Sequence, residues 1–317
     1  MITNNIWTEK WRPQSIDDCV LPENLKTSFK KFIENKEVPN LLFSGSAGVG
    51  KTTSAKALCR EIGCDYIVIN SSDESGIDVL RTKIKSFASS ISLSSYGMPK
   101  VVILDEADNL QANSFQPALR NFMEEFSSNC RFILTCNYPQ KIIEPLLSRL
   151  TIFNFNIPSK QKVKIATQMM KRVEHILTRE SVEFDAKVLP EVIMKFFPDF
   201  RKTISELQSY YTRVGKIDIG ILSQLDSIDV SVLIKHLKEK NFTSMRKFVN
   251  ENLDSDPNYI IRSLFTNLDK HLEPISFASI ILILADYQYK SAFVADHELN
   301  LTAMLIMIMS EAIFKTT

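Results

Sequence analysis

A chain of 317 residues is long enough for two or three cores, and 44% hydrophobic with 24% charged residues is ordinary for a soluble globular protein. A formal net charge of +1 excludes bulk attraction to nucleic acid, so any such surface has to be local. The five cysteines form no Cys-x-x-Cys pair and no metal-ligand spacing with the four histidines; without a signal-peptide pattern, they predict a reducing, cytoplasmic setting.

An amphipathic helix is predicted from about Pro22 to Glu34, and Pro39 stops it before an apolar strand, Leu41-Leu42-Phe43. That strand feeds Gly45-Ser46-Ala47-Gly48-Val49-Gly50-Lys51-Thr52, followed by the helix-like Ala55-Lys56-Ala57-Leu58. Strand, glycine-rich loop and helix are the context of a phosphate-binding P-loop. The glycines let consecutive backbone N–H groups turn toward an anion, and the helix start adds its own unpaired N–H groups and dipole. In such a loop Lys51 reaches the β- and γ-phosphates of ATP and the Thr52 hydroxyl binds Mg²⁺. Thr53, the next residue, belongs to the same predicted nucleotide-binding set.

Tyr66–Asn70 reads as a β-branched buried strand. A helix is predicted over Ile77–Ser89, with Ile77, Leu80, Ile84 and Phe87 as its apolar stripe and Arg81, Lys83 and Lys85 off it. Val101–Leu104 is an unalternating apolar run, as suits a central parallel strand covered on both faces, and it ends in Asp105-Glu106-Ala107-Asp108. Asn113 and Ser114 are candidate caps for a helix reaching about Phe126. Phe132–Cys136 is a further strand ending at Asn137, Ile142–Arg149 a short helical segment, and Ile152–Phe155 a last strand. Alternating strands and helices imply an open parallel sheet over residues 1–158, with ligand chemistry at the carboxyl ends of the strands. The P-loop, Asp105-Glu106 and Asn137 all lie at such ends.

In that position Asp105 holds Mg²⁺, directly or through water, and Glu106 orients and polarises the water that attacks the γ-phosphate. Asn137 has two readings: its amide can hold the attacking water, or it is a turn former before Tyr138-Pro139. From Ser159 the pattern turns helical, with helices expected over Gln161–Arg179, Asp185–Phe197 and Asp199–Arg213. Residues 159–225 carry 12 Lys and Arg against 8 Asp and Glu, and residues 226–317 carry 9 against 12; these shifts, with the change of pattern, divide the chain into 1–158, 159–225 and 226–317. In the last part Ile275–Ala285 and Leu299–Ile313 are apolar nearly all round, more than a small isolated bundle can hide. Its longest apolar runs, Ile280–Ala285 and Ala303–Met309, are well short of the roughly 18 residues a membrane span needs, so no membrane is expected.

The ordered set of P-loop, Asp105-Glu106-Ala107-Asp108, Thr135-Cys136-Asn137 and Pro145-Leu146-Leu147-Ser148-Arg149 resembles the AAA+ ATPases of the clamp-loader clade. Ala118-Leu119-Arg120-Asn121-Phe122-Met123-Glu124 and Ile77-Asp78-Val79-Leu80-Arg81 are similar to stretches of replication factor C small subunits. Ser127-Ser128-Asn129-Cys130 and Phe197-Pro198-Asp199-Phe200-Arg201-Lys202-Thr203-Ile204 are similar to the large subunits of the sliding-clamp loaders of T-even-like bacteriophages. The resemblance spans essentially the whole chain and is weakest in the final helical segment. It implies an α/β AAA+ nucleotide-binding domain, an all-α lid and an all-α collar that holds subunits together.

The resemblance also implies roles by position. Arg149 becomes an arginine finger offered in trans to ATP in a neighbouring subunit; Leu150 stands where cellular members have cysteine. Arg201 matches the second sensor that contacts the γ-phosphate, whereas by residue type alone it is a surface arginine beside Lys202. Trp11-Arg12-Pro13 and Val20 fall where the family flanks adenine and ribose, with tyrosine more usual at the Trp11 position. Gln116 corresponds to the glutamine of the helix that couples neighbouring ATP sites. Arg81, Lys83 and Lys85 are either a solvated basic face or phosphate contacts to DNA. The implied partners are other copies of the chain, a small loader subunit, the sliding clamp and primer–template DNA, in the host cytoplasm if the chain is phage-encoded. A branch-migration helicase is the alternative in the motor class, and it needs a winged helix after the lid. A stator that no longer hydrolyses ATP is a third reading, against which Lys51, Thr52, Asp105 and Glu106 stand intact.

Overall fold

Five parallel strands form one sheet: β1 (Leu41–Ser44), β2 (Tyr66–Asn70), β3 (Lys100–Asp105), β4 (Cys130–Cys136) and β5 (Thr151–Asn154), in the order β2-β3-β4-β1-β5. The computed structural model describes residues 5–72, 77–90, 100–225, 230–252 and 257–315. Register pairs Leu42 with Leu134 and Ile103 with Ile133, so the central strands run level and their carboxyl ends open on one edge.

The unalternating strands bury both faces, and their period of two sorts the residues into two layers. Leu42, Val102, Leu104, Phe132 and Leu134 face α4 (Ile77–Ser89) and α5 (Phe115–Glu125), where Ile84, Leu119 and Phe122 complete one core. Leu41, Phe43, Val101, Ile103 and Ile133 face α2 (Glu23–Asn35) and α3 (Lys51–Ile62), meeting Phe29 and Leu58. Two further helices are short, α1 (Trp7–Lys10) and α6 (Glu144–Leu147), the latter packed on α5.

Three local expectations are corrected. Tyr66–Asn70 is not fully buried: β2 is an edge strand, and Val68 is exposed because no further strand covers it. Neither Asn113 nor Ser114 caps α5 by its side chain, since the Ser114 hydroxyl donates instead to Gln111 Oε1 at 2.6 Å. The helix expected from Asp185 begins at Leu189, with Pro190 in its first turn, where a missing N–H is harmless.

Contacts divide the chain into two units, Met1–Ile221 and Leu222–Thr317. The first adds to the sheet the helices α7 (Lys162–Arg179), α8 (Leu189–Phe196) and α9 (Phe200–Val214), with α10 (Gly220–Leu225) at the division. Asp199 caps α9 by accepting the Lys202 N–H at 2.8 Å. The second unit consists of α11 (Val230–Lys238), α12 (Phe242–Glu251), α13 (Pro257–Leu268), α14 (Pro274–Ser291) and α15 (His297–Glu311), around a core that includes Leu233, Met245, Leu264, Ile280 and Met304. On α14, Ile280, Ile283 and Leu284 are buried while Ile275, Leu282 and Tyr289 stay exposed, as near-continuous apolarity requires. No winged helix appears among the described residues of this unit, and none of the described helices is long and apolar enough to cross a membrane.

Candidate nucleotide site

The carboxyl ends of β3, β4 and β1 lie side by side, which brings the predicted site residues to one edge. Gly45–Gly50 loops out of β1 and α3 starts at Lys51. Gly48 and Gly50 take φ of 73° and 92°, left-handed values that favour glycine. A Cβ on Gly48 would also come within 1.8 Å of Asp199 Oδ1, and the Gly48 carbonyl accepts the Phe200 N–H at 3.2 Å. The start of α9 is thereby seated directly on the P-loop.

Lys51 is buried, and its three ammonium protons are spoken for: Nζ donates at 2.8 Å to the carbonyls of Gly45 and Ser46 and to Asn137 Oδ1. Burial lowers its pKa from the usual lysine range, an effect that Asp105 and Asp108 oppose by their charge. The Thr52 hydroxyl donates to Asp105 Oδ1 at 2.6 Å, and Thr135 on β4 donates to the same oxygen. Glu106 is exposed and sits at φ 56°. Its N–H is held by Thr135 Oγ1 at 3.1 Å and its carboxylate accepts Asn109 Nδ2 at 3.3 Å. A left-handed φ outside glycine costs on the order of 1–3 kcal/mol, so both ends of this residue are fixed against a local preference.

A cavity of about 120 Å³ is lined by Trp11, Arg12, Pro13, Val20, Gly48, Gly50, Lys51, Thr52, Thr53 and Arg201, together with Arg172 and Phe200. Cys19 also lines it; burial pushes its thiol up to about 11, so it stays protonated. A second cavity, about 410 Å³, lies against Gly45, Ser46, Ala47 and Asn137, with Tyr138, Asn154 and Asn156. The Lys51–Asn137 hydrogen bond joins the two. Arg12 donates to Thr53 Oγ1 at 3.3 Å and pairs with Glu9.

The segment before α2 is strapped to the lid helices. The Trp7 N–H donates to Gln208 Oε1 at 2.9 Å and its ring stacks on Tyr211. Trp11 Nε1 donates to Glu180 Oε1 at 2.5 Å, and Arg172 donates to the Trp11 carbonyl at 2.8 Å.

Arg149, Gln116 and the basic residues of α4 lie outside these cavities. Arg149 is exposed after α6; its Nε and Nη2 donate to Glu124 Oε1 at 3.0 and 2.6 Å, and its Nη1 to the Pro145 carbonyl at 2.8 Å. Gln116 is fully buried in α5: its Nε2 donates to the carbonyls of Leu110 and Lys141 at 3.0 Å, and its Oε1 accepts the Ile143 N–H at 2.8 Å. It ties the turn after β3 to the segment that carries Arg149. On α4, Lys83 and Lys85 are exposed and Arg81 is half-buried, with Lys85 Nζ 5.6 Å from the centre of the Phe122 ring.

Sequence reasoning gave no role to Asp108, Thr135, Asp199 or Glu124. Asp108 is buried, and its Oδ2 accepts the N–H groups of Asn137 and Tyr138 at 3.2 and 3.1 Å. Its place in Asp105-Glu106-Ala107-Asp108 was the available signal; the partners of the others, Asp105 for Thr135, the P-loop for Asp199 and Arg149 for Glu124, are set by tertiary structure.

For a metal, the Thr52 hydroxyl and Asp105 carboxylate form a compact pair of hard oxygen donors at the loop. Among the described residues no cluster of three or more His, Cys, Asp or Glu could hold an ion. A site with so few protein ligands suits Mg²⁺, which keeps waters and takes phosphate oxygens, better than an all-protein cage.

Residues 41–159 match the family described as "ATPase family associated with various cellular activities (AAA)", and residues 161–223 match "Sliding-clamp-loader large subunit, AAA+ ATPase lid domain". The chain is 36% identical to the sliding-clamp-loader large subunit of Escherichia phage RB69 over 325 aligned positions, covering 99% of this chain and 100% of that one. It is 35% identical to the same subunit of Enterobacteria phage T4, again covering 99% and 100%. With the replication factor C small subunit of Methanothermobacter thermautotrophicus it shares 39% identity over 79% of this chain and 78% of the relative. A solved structure of RuvB from Thermotoga maritima is similar in fold, with a TM-score of 0.55 at 17% identity over 80% of this chain and 85% of that one. The chain is therefore an AAA ATPase and belongs to the family of sliding-clamp-loader large subunits.

Proposed function

We propose that the chain is the ATP-hydrolysing subunit of a loader that opens a sliding clamp and closes it on primer–template DNA. ATP lies with its phosphates in Gly45–Thr52 and its base and ribose between Trp11-Arg12-Pro13 and Val20, the cavity that also holds Arg201 from the lid. The single observation that carries this reading is the array Lys51–Asn137 and Thr52–Asp105–Thr135, which puts an ammonium, an amide, two hydroxyls and a carboxylate at one loop.

Lys51 binds the β- and γ-phosphates, and Thr52 and Asp105 hold Mg²⁺. The metal supplies charge neutralisation on the phosphate oxygens. Glu106 orients the attacking water, and Asn137 and Arg201 contact the γ-phosphate side. Arg149 acts on ATP bound by a neighbouring copy, which makes hydrolysis depend on assembly. Its exposed position supports a role outside its own pocket. The working parts are the AAA+ domain at 1–158, the lid at 159–225 and a collar at 226–317, in a ring that includes a small loader subunit. Exposed Ile275, Leu282 and Tyr289 support an assembly role for the collar. Arg81, Lys83 and Lys85 contact the DNA backbone, and Gln116 relays between neighbouring ATP sites. The setting is the cytoplasm of an infected bacterium.

The test is steady-state ATP hydrolysis with clamp, small loader subunit and primer–template DNA added singly and together. Turnover is expected to be weak for the chain alone and to rise strongly only with all three. Equal turnover with and without the clamp overturns the loader reading and leaves the ATPase intact.

A further inference from the structure

Helix α7 ends against its own local chemistry. Glu180 follows Arg179, the last residue of the helix, and sets a carboxylate at the negative end of the dipole, where a cation is favoured. The next residue, Ser181, takes a left-handed φ of 56°, a conformation that favours glycine. The turn is closed by the Glu180 N–H on the Ile176 carbonyl and the Val182 N–H on the Leu177 carbonyl, both at 2.9 Å. Local preferences overridden twice at one turn point to a function or a partner elsewhere. The partners stand at the other end of the sequence. Glu180 Oε1 accepts Trp11 Nε1, 169 positions earlier, at 2.5 Å and pairs with Lys10 Nζ at 2.6 Å. Burial pushes the Glu180 carboxyl up, and the hydrogen bonds from Lys10 and Trp11 outweigh it, so the group is held below the usual range and is ionised at neutral pH.

Trp11 is gripped by α7 and its end at three points. Its indole N–H goes to Glu180, its carbonyl accepts Arg172 Nη2 at 2.8 Å, and its ring meets His175 edge-on with centroids 5.9 Å apart. Lys10 Nζ lies 5.6 Å from the centre of the same ring. The same helix lends Met169 and Arg172 to the wall of the cavity that Trp11 lines. An indole has one donor and no acceptor, so the bond to Glu180 is the hydrogen bond that sets the rotation of the ring. The Arg172 bond fixes the backbone and leaves the side-chain torsions free.

We propose that Glu180 is a positioning residue for the base of ATP: its carboxylate fixes the indole of Trp11, so that the aromatic wall of the cavity is set before the nucleotide arrives. This rests on the reading that the base and ribose lie between Trp11-Arg12-Pro13 and Val20. Glu180 is not among the residues that line the cavity, and it acts through Trp11. A wall fixed in advance spares the cost of ordering a side chain on binding. The base is remote from the reacting phosphates, so its wall contributes to ATP binding and leaves the chemical step alone. Because the carboxylate closes a lid helix, the wall and the lid are set together.

The experiment measures ATP affinity by titration calorimetry, inhibition by inorganic tripolyphosphate and a thermal melt in the full chain, with kcat taken in the assembled, clamp- and DNA-stimulated loader. Tripolyphosphate offers the P-loop its phosphates without a base. Glu180→Ala is expected to weaken ATP affinity about 10-fold, with tripolyphosphate inhibition and kcat at saturating ATP within about twofold of the parent. Glu180→Gln keeps a carbonyl acceptor for the indole and loses only the ion pair with exposed Lys10, so ATP affinity is expected to return to within about threefold. Trp11→Phe keeps an aromatic ring and removes the donor. It is expected to match Glu180→Ala, and adding Glu180→Ala to it is expected to cost less than about twofold more. It also breaks the same bond from the other side should Glu180→Ala melt early. Equal weakening of ATP and tripolyphosphate by Glu180→Ala marks a general loss of the site and overturns the inference. Effects of Glu180 and Trp11 that multiply overturn it too, as does a failure of Glu180→Gln to recover affinity. A Trp11→Ala chain with parental ATP affinity overturns the placement of the base beneath the inference; weakened binding in Trp11→Ala beside an unaffected Glu180→Ala overturns the inference alone.

Discussion

The two halves of the ATP site differ in how finished they are within one chain. On the P-loop side the charged groups are held by several partners each: Lys51 has three acceptors, Asp105 has two hydroxyl donors, and Asp108 ties down the exit of β4. On the side of the proposed finger, Arg149 is exposed and held by Glu124, an ion pair at the surface. Pairs of that kind contribute about 0–1 kcal/mol, so the finger is stored loosely where the loop is set firmly. A preassembled half and a loosely held half fit the proposal that a second copy completes the site.

That contrast can be broken from either side. The largest effect is expected for Lys51→Ala, which removes the charge at the phosphates. Stimulated turnover falls by at least about 10³-fold and nucleotide binding by titration is lost; retained binding contradicts the P-loop assignment. Arg149→Ala is expected to reduce stimulated turnover by about 10³-fold or more while ATP affinity and melting temperature barely change. A loss that appears equally in the isolated chain places the finger in cis and erases the contrast. Gln116→Ala removes three hydrogen bonds, one buried and two partly buried, and leaves two carbonyls and an N–H to find other partners, so it is expected to destabilise the first unit by about 2–3 kcal/mol in denaturant unfolding. Stability unchanged within error shows that the link between the turn after β3 and the finger segment carries no load. The smallest change is expected for Lys85→Ala, with DNA affinity weakened and the slope of its salt dependence reduced by about one unit. An unchanged slope returns that helix face to plain solvation.

The sequence made the preassembled half legible and the loosely held half only by resemblance. The P-loop needs a fixed order of residue types, and Lys51, Thr52 and Asp105 meet as spacing and parallel pairing require. Asn137 remained ambiguous between turn and site, because an asparagine before Tyr138-Pro139 serves both; the bond from Lys51 shows its engagement with the loop. Glu124 carried no signal, since an acidic residue on a helix is ordinary until the Arg149 segment folds against it. Gln116 drew attention only through the resemblance, and its full burial was not legible, because its partners are backbone groups that only tertiary structure supplies. Val68 failed in the opposite direction: β-branched runs look alike in central and edge strands, and strand order decides which is covered. The late start of α8 at Leu189 reflects the weakness of boundary signals where a proline occupies the first turn.

The strap before α2 has an optical consequence. Both tryptophans of the chain, Trp7 and Trp11, lie in it, and neither the sheet nor the C-terminal unit contains another. Trp11 lines the cavity and both rings rest on lid residues, Tyr211 and His175. Tryptophan emission from the intact molecule is therefore a local reporter of this one junction. It follows pocket occupancy and lid seating without a dye or a label, and it is blind to events confined to the helical unit beyond Ile221.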